Sequence, residues 1–184
     1  AFGNIDKEHN PNLANVKTIA EEAFADCDGI SRVDLTETQV TSIPQNCFNG
    51  ATSLSTVELS KNVTNIEEGA FSDIRGTRGS AAVDIYIPNR NCNIRAPAFD
   101  TDPKTIYTLH SYQYTDNTNT EQSAVKHFAD GRPNVEFSPM GDGYSVKFLA
   151  EGGKLVKECF VSKAGGDVEN PPLATDPLLQ YEGH

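Results

Sequence analysis

Val16-Lys-Thr-Ile19-Ala-Glu-Glu-Ala23-Phe24-Ala-Asp-Cys27-Asp-Gly-Ile30-Ser-Arg-Val33-Asp-Leu35 is echoed, 24 positions on, by Val40-Thr-Ser-Ile43-Pro-Gln-Asn-Cys47-Phe48-Asn-Gly-Ala51-Thr-Ser-Leu54-Ser-Thr-Val57-Glu-Leu59. Every apolar anchor of the first stretch has an apolar counterpart at that step. Self-similarity at such a period marks stacked supersecondary units and decides the architecture before any local propensity does. A third copy opens with Val63-x-x-Ile66 and Ala70-Phe71 and delays its strand to Val83-x-Ile85-x-Ile87, as if Ser72 to Ala82 carried an inserted loop. A fourth is partial, with Ile94, Ala98-Phe99 and a strand near Ile106, Tyr107 and Leu109. Ala1-Phe2 and Leu13-x-x-Val16 match the tail of a shortened earlier copy, so the array is expected to begin before residue 1.

Alternating Val33 and Leu35, or Val57 and Leu59, place two side chains on one face of a short strand. The segments 21–26 and 67–72 are too short for an independent helix, but a single helical turn would aim Phe24 and Phe71 inward with acids near its start. No copy covers its own apolar strip, so neighbours must stack. The expected fold is therefore mixed and β-rich, a solenoid of short strands and single helical turns with Phe24, Phe48 and Phe71 in one column.

The pattern I-x-x-x-A-F-x-x-C-x-x-I-x-x-V-x-L in residues 19–35 resembles the BspA-type leucine-rich repeat, with copies over roughly residues 1–110. That resemblance implies a right-handed solenoid of bacterial and some protist cell surfaces, associated with adhesion and with binding of host or matrix proteins.

Beyond the copies, Thr118-x-x-Glu121 fits a capping box, Ala124, Val125 and Phe128 form a stripe at helical spacing, and Gly131 falls where a helix would stop. A capping helix over 118–131 would close the open end of the array, and Asn134 to Phe137 would add a last strand. Ser138-Pro-Met-Gly-Asp-Gly143 has the composition of a linker. Tyr144-x-Val146-x-Phe148, the turn at Glu151-Gly-Gly153 and a return strand over 155–161 read as a hairpin. With Gly165-Gly166-x-Val168-x-x-Pro171 behind it, this order resembles the internalin-type B-repeat, or Listeria-Bacteroides repeat, and implies a partial β-grasp-like module. The expected organisation is a solenoid with its cap over 1–137, a linker over 138–143 and the B-repeat-like module over 144–184.

Twenty-six Asp and Glu against fifteen Lys and Arg give a net charge of -11, which opposes a nucleic-acid surface. No run reaches the roughly 18 to 20 apolar residues of a membrane span, and no signal core follows the N-terminus. The four cysteines lack C-x-x-C spacing. Cys27 occupies the slot of Ala51, and Cys47 that of Ala23, Ala70 and Ala98, so both read as small core fillers, while Cys92 and Cys159 stay open. His9, His110, His127 and His184 are dispersed without a ligand motif, and no nucleophile or phosphate loop stands out. Asp116-Asn-Thr-Asn119-Thr-Glu121 offers oxygens for calcium but lacks the glycine and distal Glu of an EF-hand loop, so a solvated loop is the better reading.

Arg75, Arg78, Arg90 and Arg95 gather in a short stretch of an acidic chain, two of them in the third copy's insertion. Insertions in repeat arrays collect on one face and often touch partners. The expected protein is a non-catalytic, monomeric, extracellular binding or adhesion module, at the cell surface or secreted, that recognises a protein or glycan without cofactor, metal, nucleic acid or direct membrane insertion. The alternatives are a structural stalk and an ancillary domain of a larger cell-surface protein or hydrolase.

Overall fold

A computed structural model of the chain describes residues 5, 6, 8, 10, 12–74, 81–113, 123–149 and 155–162, with 81, 113, 141–149 and 155–162 described by backbone alone. It is β-rich, a solenoid of about four turns with very little helix. After a 3-10 turn at Leu13–Asn15 come β1 (Arg32–Asp34), β2 (Ser42–Ile43), β3 (Thr56–Glu58), β4 (Asn65–Ile66), β5 (Ala81–Tyr86), β6 (Asn93–Ile94) and β7 (Thr105–Gln113). A short helix α1 (Ala124–Ala129) and the strands β8 (Val135–Leu149) and β9 (Leu155–Ser162) follow.

Two sheets line the solenoid. The larger has the order β1-β3-β5-β7-β8-β9, parallel as far as β8 and antiparallel between β8 and β9; the smaller is β2-β4-β6, all parallel. The register stacks Val33, Val57, Ile85 and Leu109, and in the second sheet Ile43, Ile66 and Ile94, so each buried side chain rests on its counterpart in the next layer. A fully buried Val, Leu or Ile contributes about 1.5–3 kcal/mol, and no layer could collect that alone. The delayed third strand falls where the sequence placed it: Val57 pairs with Ile85, so the added residues leave the ladder in register.

The third side of the solenoid is built from the Ala-Phe segments. Phe24, Phe48, Phe71 and Phe99 stack at centroid distances of 5.3, 5.4 and 5.5 Å with planes 10° apart, the column on which the repeat reading depends. The backbone beneath them is a run of tight turns with alternating hydrogen bonds. Ala23, Ala25 and Cys27 donate their N–H back three residues within the turn, whereas Glu22, Phe24 and Asp26 donate to Gln45, Cys47 and Asn49 of the next layer at 3.2, 2.9 and 2.8 Å. Turning every second peptide toward the neighbour requires left-handed residues, found at Glu22, Asn46 and Gly69 two before the Phe, and at Asp26, Gly50 and Asp73 two after it. Asn, Asp and Gly are the residues that adopt this conformation most readily. At Gly50 and Gly69 a Cβ would also collide with Asp26 Oδ1 and Asn46 Oδ1 of the preceding layer.

α1 closes the far end. Its N-cap is Ser123, whose Oγ accepts from Lys126 N at 3.2 Å; the capping box expected at Thr118 lies outside the described residues. The helix is shorter than the sequence suggested because Val125 N–H is already drawn to the Arg90 carbonyl at 3.3 Å, fixing the first turn against the preceding layer. Gly131 follows the helix with φ +82° and ends it. Ser138 to Gly143, read from composition as a linker, are strand: His110 pairs with Ser138 and Gln113 with Asp142. β7 runs on to Gln113 and offers a hydrogen-bonding edge, and a bulge between Ser111 and Tyr112 absorbs the irregular stretch. The hairpin expected after it is present as β8 and β9, paired from Gly143–Ser162 to Leu149–Leu155.

Candidate binding face

The strands that bury Val33, Val57, Ile85 and Leu109 must turn the residues on either side of them outward, since successive side chains point to opposite faces. Two rows result across β1, β3, β5, β7 and β8. One runs Arg32, Thr56, Asp84, Thr108, Glu136; the other runs Asp34, Glu58, Tyr86, His110, Ser138. All are exposed or half-buried.

Within these rows the contacts concentrate on the middle layers. Tyr86 and His110 stack with centroids 4.2 Å apart and planes at 9°. Asp84 Oδ1 lies 2.7 Å from His110 Nε2, which fixes the imidazole from its edge while Tyr86 fixes it from its face. Arg32 and Glu58 form an ion pair between β1 and β3. Thr36 donates to Asp34 Oδ1 through its N–H at 3.0 Å and its Oγ1 at 2.6 Å, holding that carboxylate at the strand end. The face thus offers an ordered aromatic pair, carboxylates, a guanidinium and hydroxyls. Such a set can stack on a planar or ring-shaped group and hydrogen-bond around it.

The four arginines singled out in the sequence do not form one described patch. Arg75 and Arg78 lie outside the described residues. Arg90 is 8% exposed and donates through Nη1 to Asn91 Oδ1 at 3.4 Å, with its carbonyl bound by α1. Arg95, 64% exposed, pairs through Nε with Glu67 Oε2 at 2.7 Å and borders a polar groove of about 390 Å³ with Glu21, Gln45 and Glu68. Tyr86, Asp84 and His110 were missed because each is unremarkable alone. The available signal was that Tyr86 and His110 hold the same outward position of consecutive copies.

Cys47, expected as a core filler, and Cys92, left open by the sequence, are both buried and unpaired, and burial pushes both thiols up to about 12. Cys27 is half-buried and also unpaired. Tyr107 is fully buried, its hydroxyl 2.8 Å from both the Phe71 carbonyl and Asp100 Oδ2, which share its one proton; burial first, and then the Asp100 charge, raises its pKa. Among the described residues no three His, Cys, Asp or Glu side chains gather as metal ligands, and no helix is long and apolar enough to cross a membrane. The Asp116 to Glu121 stretch lies outside the described residues.

Parallel two- and three-residue strands in register, a column of stacked rings and backbone bonds from layer to layer define a leucine-rich-repeat solenoid. The chain belongs to the BspA type leucine rich repeat family, whose model matches six copies over residues 1–106. Comparison with curated proteins and with solved structures finds no match.

Proposed function

We propose that the protein is a non-catalytic extracellular module, at a cell surface or secreted, that binds a protein or glycan through the outer face of its larger sheet. The observation that carries this reading is the Tyr86–His110 stack with Asp84 bound to the imidazole edge. Aromatic pairs cost little entropy to present once held, and flanking carboxylates and hydroxyls supply orientation. The family membership supports a binding role. The test is immobilised glycan and matrix-protein arrays probed with the wild-type chain, Tyr86→Ala, His110→Ala and the pair Arg75→Ala/Arg78→Ala. Loss of a defined ligand with Tyr86→Ala at unchanged stability is the expected result; retention of every ligand by all variants overturns the assignment.

A stalk is the second reading, favoured by one observation. β8 passes from the last solenoid layer into the hairpin without a break, so the sheet itself joins the two regions. Absence of any array ligand, together with small-angle scattering that shows a stiff rod, would favour it.

A further inference from the structure

Tyr86 and His110 are register partners on β5 and β7, and neighbouring strands lie about 4.7–4.9 Å apart. Ring centroids 4.2 Å apart with planes at 9° therefore mean that the two rings stand upright on the sheet, face against face, with their edges outward. The face of Tyr86 that His110 leaves uncovered looks along the row to Glu58 of β3, whose carboxylate is drawn toward Arg32 of β1. A slot results, with an aromatic face on one side and a carboxylate on the other. A sugar ring needs a broad aromatic face turned to solvent, whereas a flat guanidinium needs only such a slot. The charge around it is one-sided. The two rows hold the carboxylates of Asp34, Glu58, Asp84 and Glu136 against one guanidinium, that of Arg32, and the His110 imidazole, on a chain of net charge -11. The Asp84 side chain is 46% exposed even while it holds His110, and Glu136 is exposed.

We infer that the partner on this face is a basic segment of a protein, with one arginine side chain seated between Tyr86 and Glu58. Its guanidinium stacks on the free tyrosine face and donates to the Glu58 carboxylate, while further cations of the segment meet Asp34, Asp84 and Glu136. A guanidinium suits the slot better than an ammonium because it is flat, less strongly hydrated and donates from a rigid fork. The ring attracts the cation to its face, and the carboxylates steer basic partners in and select against acidic ones. The Arg32–Glu58 pair is exposed enough to be remodelled at little cost. A cationic protein segment is one case of the protein or glycan partner proposed above, so it rests on that reading of the outer face.

The test uses fluorescein-labelled peptides in which glycine alternates with arginine, lysine or glutamate, read by anisotropy against the full chain. The arginine peptide is expected to bind at least about threefold tighter than the lysine peptide, since only the guanidinium stacks flat, and the glutamate peptide not at all. Tyr86→Ala, which alters no charge, should weaken arginine-peptide binding by about fivefold and erase its advantage over lysine. Glu58→Gln should weaken it comparably, whereas Glu21→Gln, the same change of charge at an exposed position on the turn side, leaves it within about twofold. Equal binding of the arginine and lysine peptides, indifference to Tyr86→Ala, or equal losses with Glu58→Gln and Glu21→Gln each overturn the proposal, the last because it marks general attraction to an acidic chain. A glycan captured on the arrays and lost with Tyr86→Ala, from a chain that binds no arginine peptide, overturns this partner and leaves the outer face as the binding surface. Array ligands that survive every outer-face variant remove both.

Discussion

The Phe column and the outer sheet face belong to the same layers, yet their residues behave oppositely. On the turn side four successive copies keep Phe, and the ring spacing varies only from 5.3 to 5.5 Å. On the outer face the matched positions hold Asp34, Glu58, Tyr86 and His110. Packing explains the difference. Each ring's neighbour is the next ring, so any change of size opens a void or a clash, whereas an outward side chain leaves the backbone ladder intact whatever its chemistry. The interior of each layer is therefore held to one chemistry while its outer face is free to vary.

Phe48→Ala strikes that contrast hardest. Phe48 is fully buried between Phe24 and Phe71, and truncating such a ring costs about 3–5 kcal/mol. Urea unfolding should show a loss of that order for Phe48→Ala and less than about 1 kcal/mol for Tyr86→Ala, the usual range for surface positions. Equal losses would break the comparison.

The next test reads the same interior chemically. Burial holds the Cys47 and Cys92 thiols at about 12, so near neutral pH their thiolate fraction is about a thousandfold below that of an ordinary cysteine. Iodoacetamide labelling followed by peptide mass spectrometry should leave both unmodified in the native chain and label both in urea. The linkage has a definite sign. A pKa raised by folding means the native state holds the proton more tightly, so this contribution is whole below about pH 9 and disappears as pH climbs toward 12. Rapid native labelling of Cys47 would place it outside the core.

Tyr107→Phe sits one step lower. It removes a buried hydroxyl that ties β7 to the Phe71 carbonyl and to Asp100, and should cost about 1–3 kcal/mol in urea. A neutral result would mean that Phe99 and the ring contact alone, tilted at 50°, hold that corner.

The column, the apolar register of the larger sheet and the stretched third copy were legible because packing forces repetition, and repetition is visible in one sequence. The small β2-β4-β6 sheet was not: Ile43 and Ile66 were read as anchors, and two-residue strands carry no alternation of their own. The candidate binding face was not, because His110 lies 24 residues from Tyr86 and is brought beside Asp84 and Tyr86 only by strand pairing. The conflict at Ser138 to Gly143 has the same root: Pro and Gly mark turns when local preference decides, but here β7 supplies a hydrogen-bonding edge that overrides it. Of the arginines close in sequence, Arg90 turns inward and Arg95 pairs with Glu67, while Arg75 and Arg78 lie outside the described residues.

The smallest effect is expected from the ion pair between Arg32 and Glu58. Their side chains are 47% and 27% exposed, so water and salt screen the attraction, and such pairs contribute about 0.2–1 kcal/mol. A double-mutant cycle of Arg32→Ala and Glu58→Ala in urea should give a coupling in that range that shrinks further in high salt. A face whose charges contribute so little to folding can exchange them for a partner's without loosening the layers, because Val33 and Val57 beneath them keep the strands in register. Coupling above about 2 kcal/mol would make the pair a structural clamp. The division between a packed interior and an adaptable outer face would then not extend to β1 and β3.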